Sequence, residues 1–166
     1  MVEMHLTAVR VELPTNNPVV LLQEVGGARR TLPIFIGAPE ATAIAFALQG
    51  VSTSRPMTHD LFRDVLVAAG VALERVLITE LREGTYYAEL HLSLNGVSTV
   101  VSSRPSDAIA LAARMEAPIY AEDELIDSEG VQLAADDEDE DAEVPEEIVT
   151  QFREFIEGIR PEDFSS

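Results

Sequence analysis

Apolar and polar positions alternate over residues 4–13 closely enough for a strand, which ends in the turn-rich stretch Pro14-Thr-Asn-Asn-Pro18. Residues 19–25 form a denser apolar run, as in a more buried strand. Gly26-Gly27 then reverses the chain into residues 31–36, so these two runs predict a hairpin. The period changes over residues 37–48, an Ala-rich segment with Pro39 and Glu40 in its first turn and Gly50 just past its end, which predicts a helix. A second helix is predicted over residues 58–69, with Thr58 as N-cap, Asp60 in the first turn and Gly70 at the close. Within it Leu61, Phe62, Val65, Leu66 and Ala69 recur at three and four, which predicts a single buried stripe. Strands follow at residues 74–81, 86–94 and 97–101, the last two joined by a tight Asn95-Gly96 turn. A third helix over residues 105–115 and a short strand over residues 118–121 complete the pattern.

The order is strand, hairpin, helix, helix, hairpin, helix, strand. A hairpin leading into Pro39-Glu-Ala-Thr-Ala-Ile-Ala45 is echoed by one leading into Pro105-Ser-Asp-Ala-Ile-Ala110. The expected fold class is therefore α+β, a mixed β-sheet with packed helices, with internal duplication of a ββα unit. The domain is expected over residues 1–121, extending no further than about 133. After it comes an acidic linker over residues 134–144, containing Asp136-Asp-Glu-Asp-Glu-Asp141, a block of like charge that should stay solvated. Residues 145–164 begin with Pro145-Glu-Glu and place Ile148, Phe152, Phe155, Ile156 and Ile159 on one side of an amphipathic helix. Such a helix is expected to dock on this domain or on a protein partner.

Composition narrows the function classes. The 166 residues include no cysteine, which excludes a disulfide framework, thiolate metal sites and a cysteine nucleophile. No run of 18 apolar residues is present, and the first residues lack the basic-then-apolar pattern of a signal peptide, so a cytoplasmic address away from membranes is expected. The net charge of −19 is unevenly placed. Residues 122–166 carry 18 acidic and 2 basic side chains, whereas residues 1–121 carry 12 and 9. The body is close to neutral and the acidity is local. Every basic side chain other than histidine is Arg.

Two stretches carry candidate chemistry: Arg55-Pro-Met-Thr-His-Asp60 and Arg104-Pro-Ser-Asp107. Each sets an Arg-Pro, a hydroxyl residue and an Asp at a predicted helix start, where unpaired N–H groups and the helix dipole favour an anion such as phosphate. Arg55 and Arg104 supply bidentate charge, and Thr58 and Ser106 supply hydroxyl donors, for such a phosphate. His59 is a proton carrier near neutral pH. Asp60, Asp107 and Glu40 are hard oxygen donors that would hold Mg²⁺ or Mn²⁺, or orient the histidine. Capping and loop-tying ion pairs account for much of the same pattern without any chemistry. His5 and His91, on predicted strands without acidic or hydroxyl companions, read as ordinary strand residues. No glycine-rich phosphate loop, zinc-protease motif or nucleophile elbow occurs, nor a basic stripe with interleaved aromatics.

Three linked motifs, Leu32-Pro-Ile-Phe-Ile-Gly-Ala-Pro-Glu-Ala41, Arg55-Pro-Met-Thr-His-Asp-Leu61 and Ser103-Arg-Pro-Ser-Asp-Ala-Ile-Ala-Leu111, resemble the bifunctional nuclease family of bacteria and plants. The resemblance covers roughly residues 1–121, and Phe152-Arg-Glu-Phe-Ile156 with Pro161-Glu-Asp-Phe164 resembles the tail of bacterial members. It implies an α+β fold with internal duplication, self-association as a homo-oligomer (a dimer first of all), and cleavage of RNA and DNA. Carried over by motif, the implied site is Glu40, Arg55, Thr58, His59, Asp60, Arg104, Ser106 and Asp107. RNA or single-stranded DNA is the expected partner. Plant members can carry an additional UVR-type module, and an acidic run with an amphipathic segment occupies that end here.

Overall fold

The computed structural model describes residues 1–12 and 15–132. The expectations for the acidic linker and for the 145–164 segment fall outside the described residues.

Strand β1 (Val2–Glu12) is followed by the hairpin β2 (Asn17–Glu24) and β3 (Thr31–Phe35), then by helices α1 (Ala38–Leu48) and α2 (Thr58–Ala68). The chain continues through β4 (Val71–Arg82), β5 (Thr85–Leu94), β6 (Val97–Ser103), α3 (Pro105–Met115), β7 (Ile119–Ala121) and α4 (Asp123–Glu129). One seven-stranded sheet runs in the order β3-β2-β1-β7-β4-β5-β6. All neighbours are antiparallel except β4 and β7, so the sheet is mixed and the α+β class holds. A three-strand meander followed by a helix occurs twice, as β1-β2-β3-α1 and as β4-β5-β6-α3, with β7 filling the seam. The repeating topological unit is thus one strand longer than the predicted ββα. The extra strands, β1 and β4, have no matching sequence echo and show their equivalence only in space.

The core explains why these segments take these forms. Met4, Leu6, Val9, Val20, Leu22, Leu32, Ile34, Val76, Ile78 and Leu90 face one side of the sheet and close on Ile44 and Phe46 of α1 and Ile109 and Leu111 of α3. Helix α3 packs against α1, α2, β4 and β5, and seven of its residues are buried. The Asn95-Gly96 turn has both residues at positive φ (52° and 81°), as a tight primed hairpin requires.

Three sequence expectations are corrected. Thr58 is the first residue of α2 and Met57 is its N-cap; the capping acceptor is Asp60, whose Oδ2 accepts the Met57 N–H at 3.0 Å. The predicted stripe of α2 faces outward: Leu66 alone of its residues is buried, while Leu61, Phe62 and Val65 are 54, 43 and 53% exposed. The same period fits either face, and the buried side is set by His59, Asp60, Arg63 and Leu66, which include the polar residues. Helix α4 was not expected, because its acidic residues read as the start of the tail. It buries Leu125 and Ile126 in the core, and Val131 beyond it bridges Thr31 of β3. Arg30 pins this segment through Glu24 and Asp127, both at 2.8 Å.

Candidate functional site at three helix starts

Glu40, Asp60 and Asp107 each occupy the third position of their helices, α1, α2 and α3. A carboxylate there meets the unpaired N–H groups and positive end of the helix dipole, which is the local reason the sequence repeats it. Helices α1 and α2 both pack on α3, so the helix starts supply one cluster. Arg104, the N-cap residue of α3, binds Asp107 through Nε (2.6 Å) and Nη2 (3.0 Å) and reaches Glu40 of α1 through Nη1 (3.0 Å). His59 of α2 reaches the same carboxylate, with Nε2 3.0 Å from Asp107 Oδ1. The result is a continuous line, Glu40–Arg104–Asp107–His59, that ties three helices together.

Burial grades along this line. The His59 and Glu40 side chains are largely covered (15 and 18% exposed), Asp107 less so, while Arg104 stands in solvent at 65%. Burial pushes the Asp107 carboxyl up, but the Arg104 and His59 hydrogen bonds together outweigh it and hold it below its usual range. Asp107 is therefore an anion at neutral pH and an acceptor. It follows that His59 Nε2 is the donor of the hydrogen bond to Asp107. The close Asp107 carboxylate also raises the Arg104 pKa, so this cation stays charged.

Asp60 turns away to a second pairing. Arg114, at the far end of α3 and only 5% exposed, donates from Nε to Asp60 Oδ1 at 2.6 Å and from Nη1 to the Ala110 carbonyl at 3.0 Å. Burial raises the Asp60 pKa, and the Arg114 and Met57 hydrogen bonds more than reverse it. Arg114 was missed in the sequence because a basic residue in a last turn reads as a response to the helix dipole. Its near-complete burial beside Asp60 marks it instead as the residue that seats α2 on α3.

The other predicted residues are placed as follows. Thr58 is exposed at the first position of α2, and Ser106 is buried at the second position of α3. Arg55 is exposed in the loop before α2, and no bond from its side chain falls among the described residues. Gly37, the N-cap of α1, lies under the Glu40 carboxylate: a Cβ there would collide with Glu40 Oε2. Among the described residues no group of three or more His, Asp or Glu side chains is arranged to hold a metal ion. The carboxylates considered as Mg²⁺ or Mn²⁺ ligands are already matched to Arg104 and Arg114, and so do not form an open donor set as they stand. His91 lies apart on β5, between Arg75 (3.2 Å) and Glu89 (3.1 Å), and His5 is exposed on β1. No described helix is long and apolar enough to cross a membrane.

Comparison with known proteins covers the stretch of chain that holds this geometry. The family model of the bifunctional nuclease domain matches residues 20–134, which contain every side chain of the line and Arg114. An uncharacterized protein of Mycobacterium tuberculosis is 45% identical over 166 residues, spanning 99% of this chain and 98% of its own length. Bifunctional nuclease 2 of Arabidopsis thaliana is 29% identical over 126 residues, 73% of this chain, and bifunctional nuclease 2 of Oryza sativa subsp. japonica is 28% identical over 118 residues, 69% of this chain. This chain spans little more than a third of those plant proteins, 38 and 36%. With the family model covering more than half of its length, this chain belongs to the bifunctional nuclease domain family.

Proposed function

We propose that the protein is a nuclease that hydrolyses phosphodiester bonds of RNA or single-stranded DNA at the starts of α2 and α3. The single observation that carries this reading is the His59–Asp107–Arg104 line, which couples a proton carrier to a cation beside two helix N-termini. Asp107 orients the imidazole so that Nδ1 takes a proton from the attacking water. As the water oxygen bonds to phosphorus, the P–O bond to the leaving strand breaks, and the imidazolium returns the proton to the leaving oxygen. The imidazolium so formed is stabilised by the carboxylate behind it. Arg104, exposed at the rim, and Arg55 on the preceding loop hold the phosphate and the charge that develops on it. Thr58 presents a hydroxyl at the same mouth, and Arg114 and Asp60 position α2 rather than touch substrate. Mg²⁺ or Mn²⁺ would enter between Glu40 and Asp107 only by displacing Arg104, so no step is routed through either ion.

The name of the plant relatives, bifunctional nuclease, supports the reaction class. The test is cleavage of labelled RNA and single-stranded DNA in Mg²⁺, in Mn²⁺ and in EDTA, comparing the wild type with His59→Ala. Loss of a placed proton carrier is expected to slow cleavage by about 10²–10⁴-fold. Equal rates in both proteins would place the activity elsewhere.

A second reading is favoured by one specific observation: Arg104 is already engaged by its own Glu40 and Asp107. With a near-neutral body, that self-saturated clamp suits a non-catalytic module that binds a small anion or a partner's carboxylate. Binding of inorganic phosphate or an oligonucleotide without cleavage in any of the three conditions selects this reading.

A further inference from the structure

We propose that the outward apolar face of α2 is the docking site of the chain's own C-terminal segment, residues 145–159. Docking does not depend on cleavage, so it stands or falls separately from the nuclease reading.

The face is unlike the rest of the helical layer. Leu61, Phe62 and Val65 lie at spacings of three and four, each is 43–54% exposed, and no described element covers them. They begin two residues after His59, so whatever covers them borders the site. The occupant is indicated by the chain itself. Residues 145–159 place Ile148, Phe152, Phe155, Ile156 and Ile159 at helical spacing, a stripe of matching kind and length. Reach is no obstacle. The described fold ends near Val131 on β3, and the 15 residues from 133 to 147 span up to about 50 Å. A domain of this size has a radius of gyration of only about 14 Å. A tether of that length gives a local concentration on the order of millimolar, which favours the attached segment over a free partner.

Charge completes the argument. The block 136–141 contributes six consecutive carboxylates just before the apolar segment. At the start of α2, Arg55 is exposed, and Arg104 is 65% exposed on the neighbouring helix. The acidic block and these two cations are complementary in charge, which favours the chain's own tail over a neutral partner as the occupant of the neighbouring face. The 45%-identical mycobacterial relative aligns over 99% of this chain, tail included, whereas the plant matches extend over about 70% of it.

The absence of cysteine allows a direct test in the full-length chain. Val65→Cys with Phe155→Cys is oxidised alongside Val25→Cys with Phe155→Cys. Val65 and Val25 are similarly exposed, 53 and 57%, but Val25 sits in the β2–β3 turn near the point where the tail leaves, so an undocked tail reaches it more readily. An intramolecular disulfide is expected to form at least tenfold faster at position 65, and adding Phe152→Asp should abolish that preference. Equal or faster bonding at position 25 would overturn the proposal. Disulfide-linked dimers at position 65 would overturn it too, showing that a second copy covers the face. Retained preference with Phe152→Asp would show that the apolar stripe is not what docks.

Discussion

At the scale of single residues, the site is a matter of which carboxylate each cation holds. Arg114 is the clearest case: with its side chain only 5% exposed, it reaches Asp60 and the Ala110 carbonyl and so ties the start of α2 to the far end of α3. Arg114→Met keeps the apolar stem and removes the charge-assisted bonds. It is expected to lower stability by about 1.5–3 kcal/mol, read from the urea midpoint at neutral pH. A variant as stable as the wild type would show that α2 is seated by other contacts. The acid limb of stability tests Asp107. Its folded pKa lies below the usual 3.8, so its contribution is fully present above the unfolded value and is lost as pH falls through the folded one. Asp107→Asn should therefore flatten the loss of stability below about pH 4. An unchanged acid limb would mean that the Arg104 and His59 contacts do not stabilise the anion. Residue types at the site were legible because Arg-Pro, hydroxyl and Asp repeat before two helices. Their partners were not, since neither the Arg114–Asp60 pair, 54 positions apart, nor the Glu40–Arg104 pair leaves a local trace.

At the scale of elements, start and stop signals carried most of the information. Pro39 with Gly50, Gly70 after α2, and Asn95-Gly96 between β5 and β6 all mark real boundaries, because each meets a backbone need that few other residues satisfy. The end of α3 shows the converse. Glu116 closes that helix at φ 53°, the left-handed region that costs a side chain free energy, and it is exposed. Glu116→Gly is expected to stabilise the protein by about 0.5–1 kcal/mol, the strain removed less the entropy lost by glycine. Destabilisation on thermal melting would show that the Glu116 side chain contributes more than its backbone strain takes away. Periodicity was less decisive than the stop signals. In α2 it found the apolar stripe correctly but assigned it to the core, because a sequence cannot say which side of a helix the domain lies on. In α4 the acidic composition hid a short helix whose two buried residues, Leu125 and Ile126, close the core.

At the scale of the whole molecule, a topology repeated twice brings its two helices together so that their starts face one another. The two Arg-Pro motifs are not equivalent halves of that repeat: one precedes α3, the other precedes α2, which has no counterpart. The repeat supplies Glu40 and Asp107 at matching positions, and α2 adds His59 to them. That division explains why the family match could be reached from three short motifs, while the arrangement of charge around them could not. Whether these three helix starts form one chemical unit is read most directly from a double-mutant cycle on RNA cleavage. Rates are measured for the wild type, His59→Ala, Asp107→Asn and the double variant under one set of conditions. If the two groups act as a unit, the double variant is no slower than the worse single variant, as for other coupled catalytic groups. Fully additive losses, or four equal rates, would contradict the account.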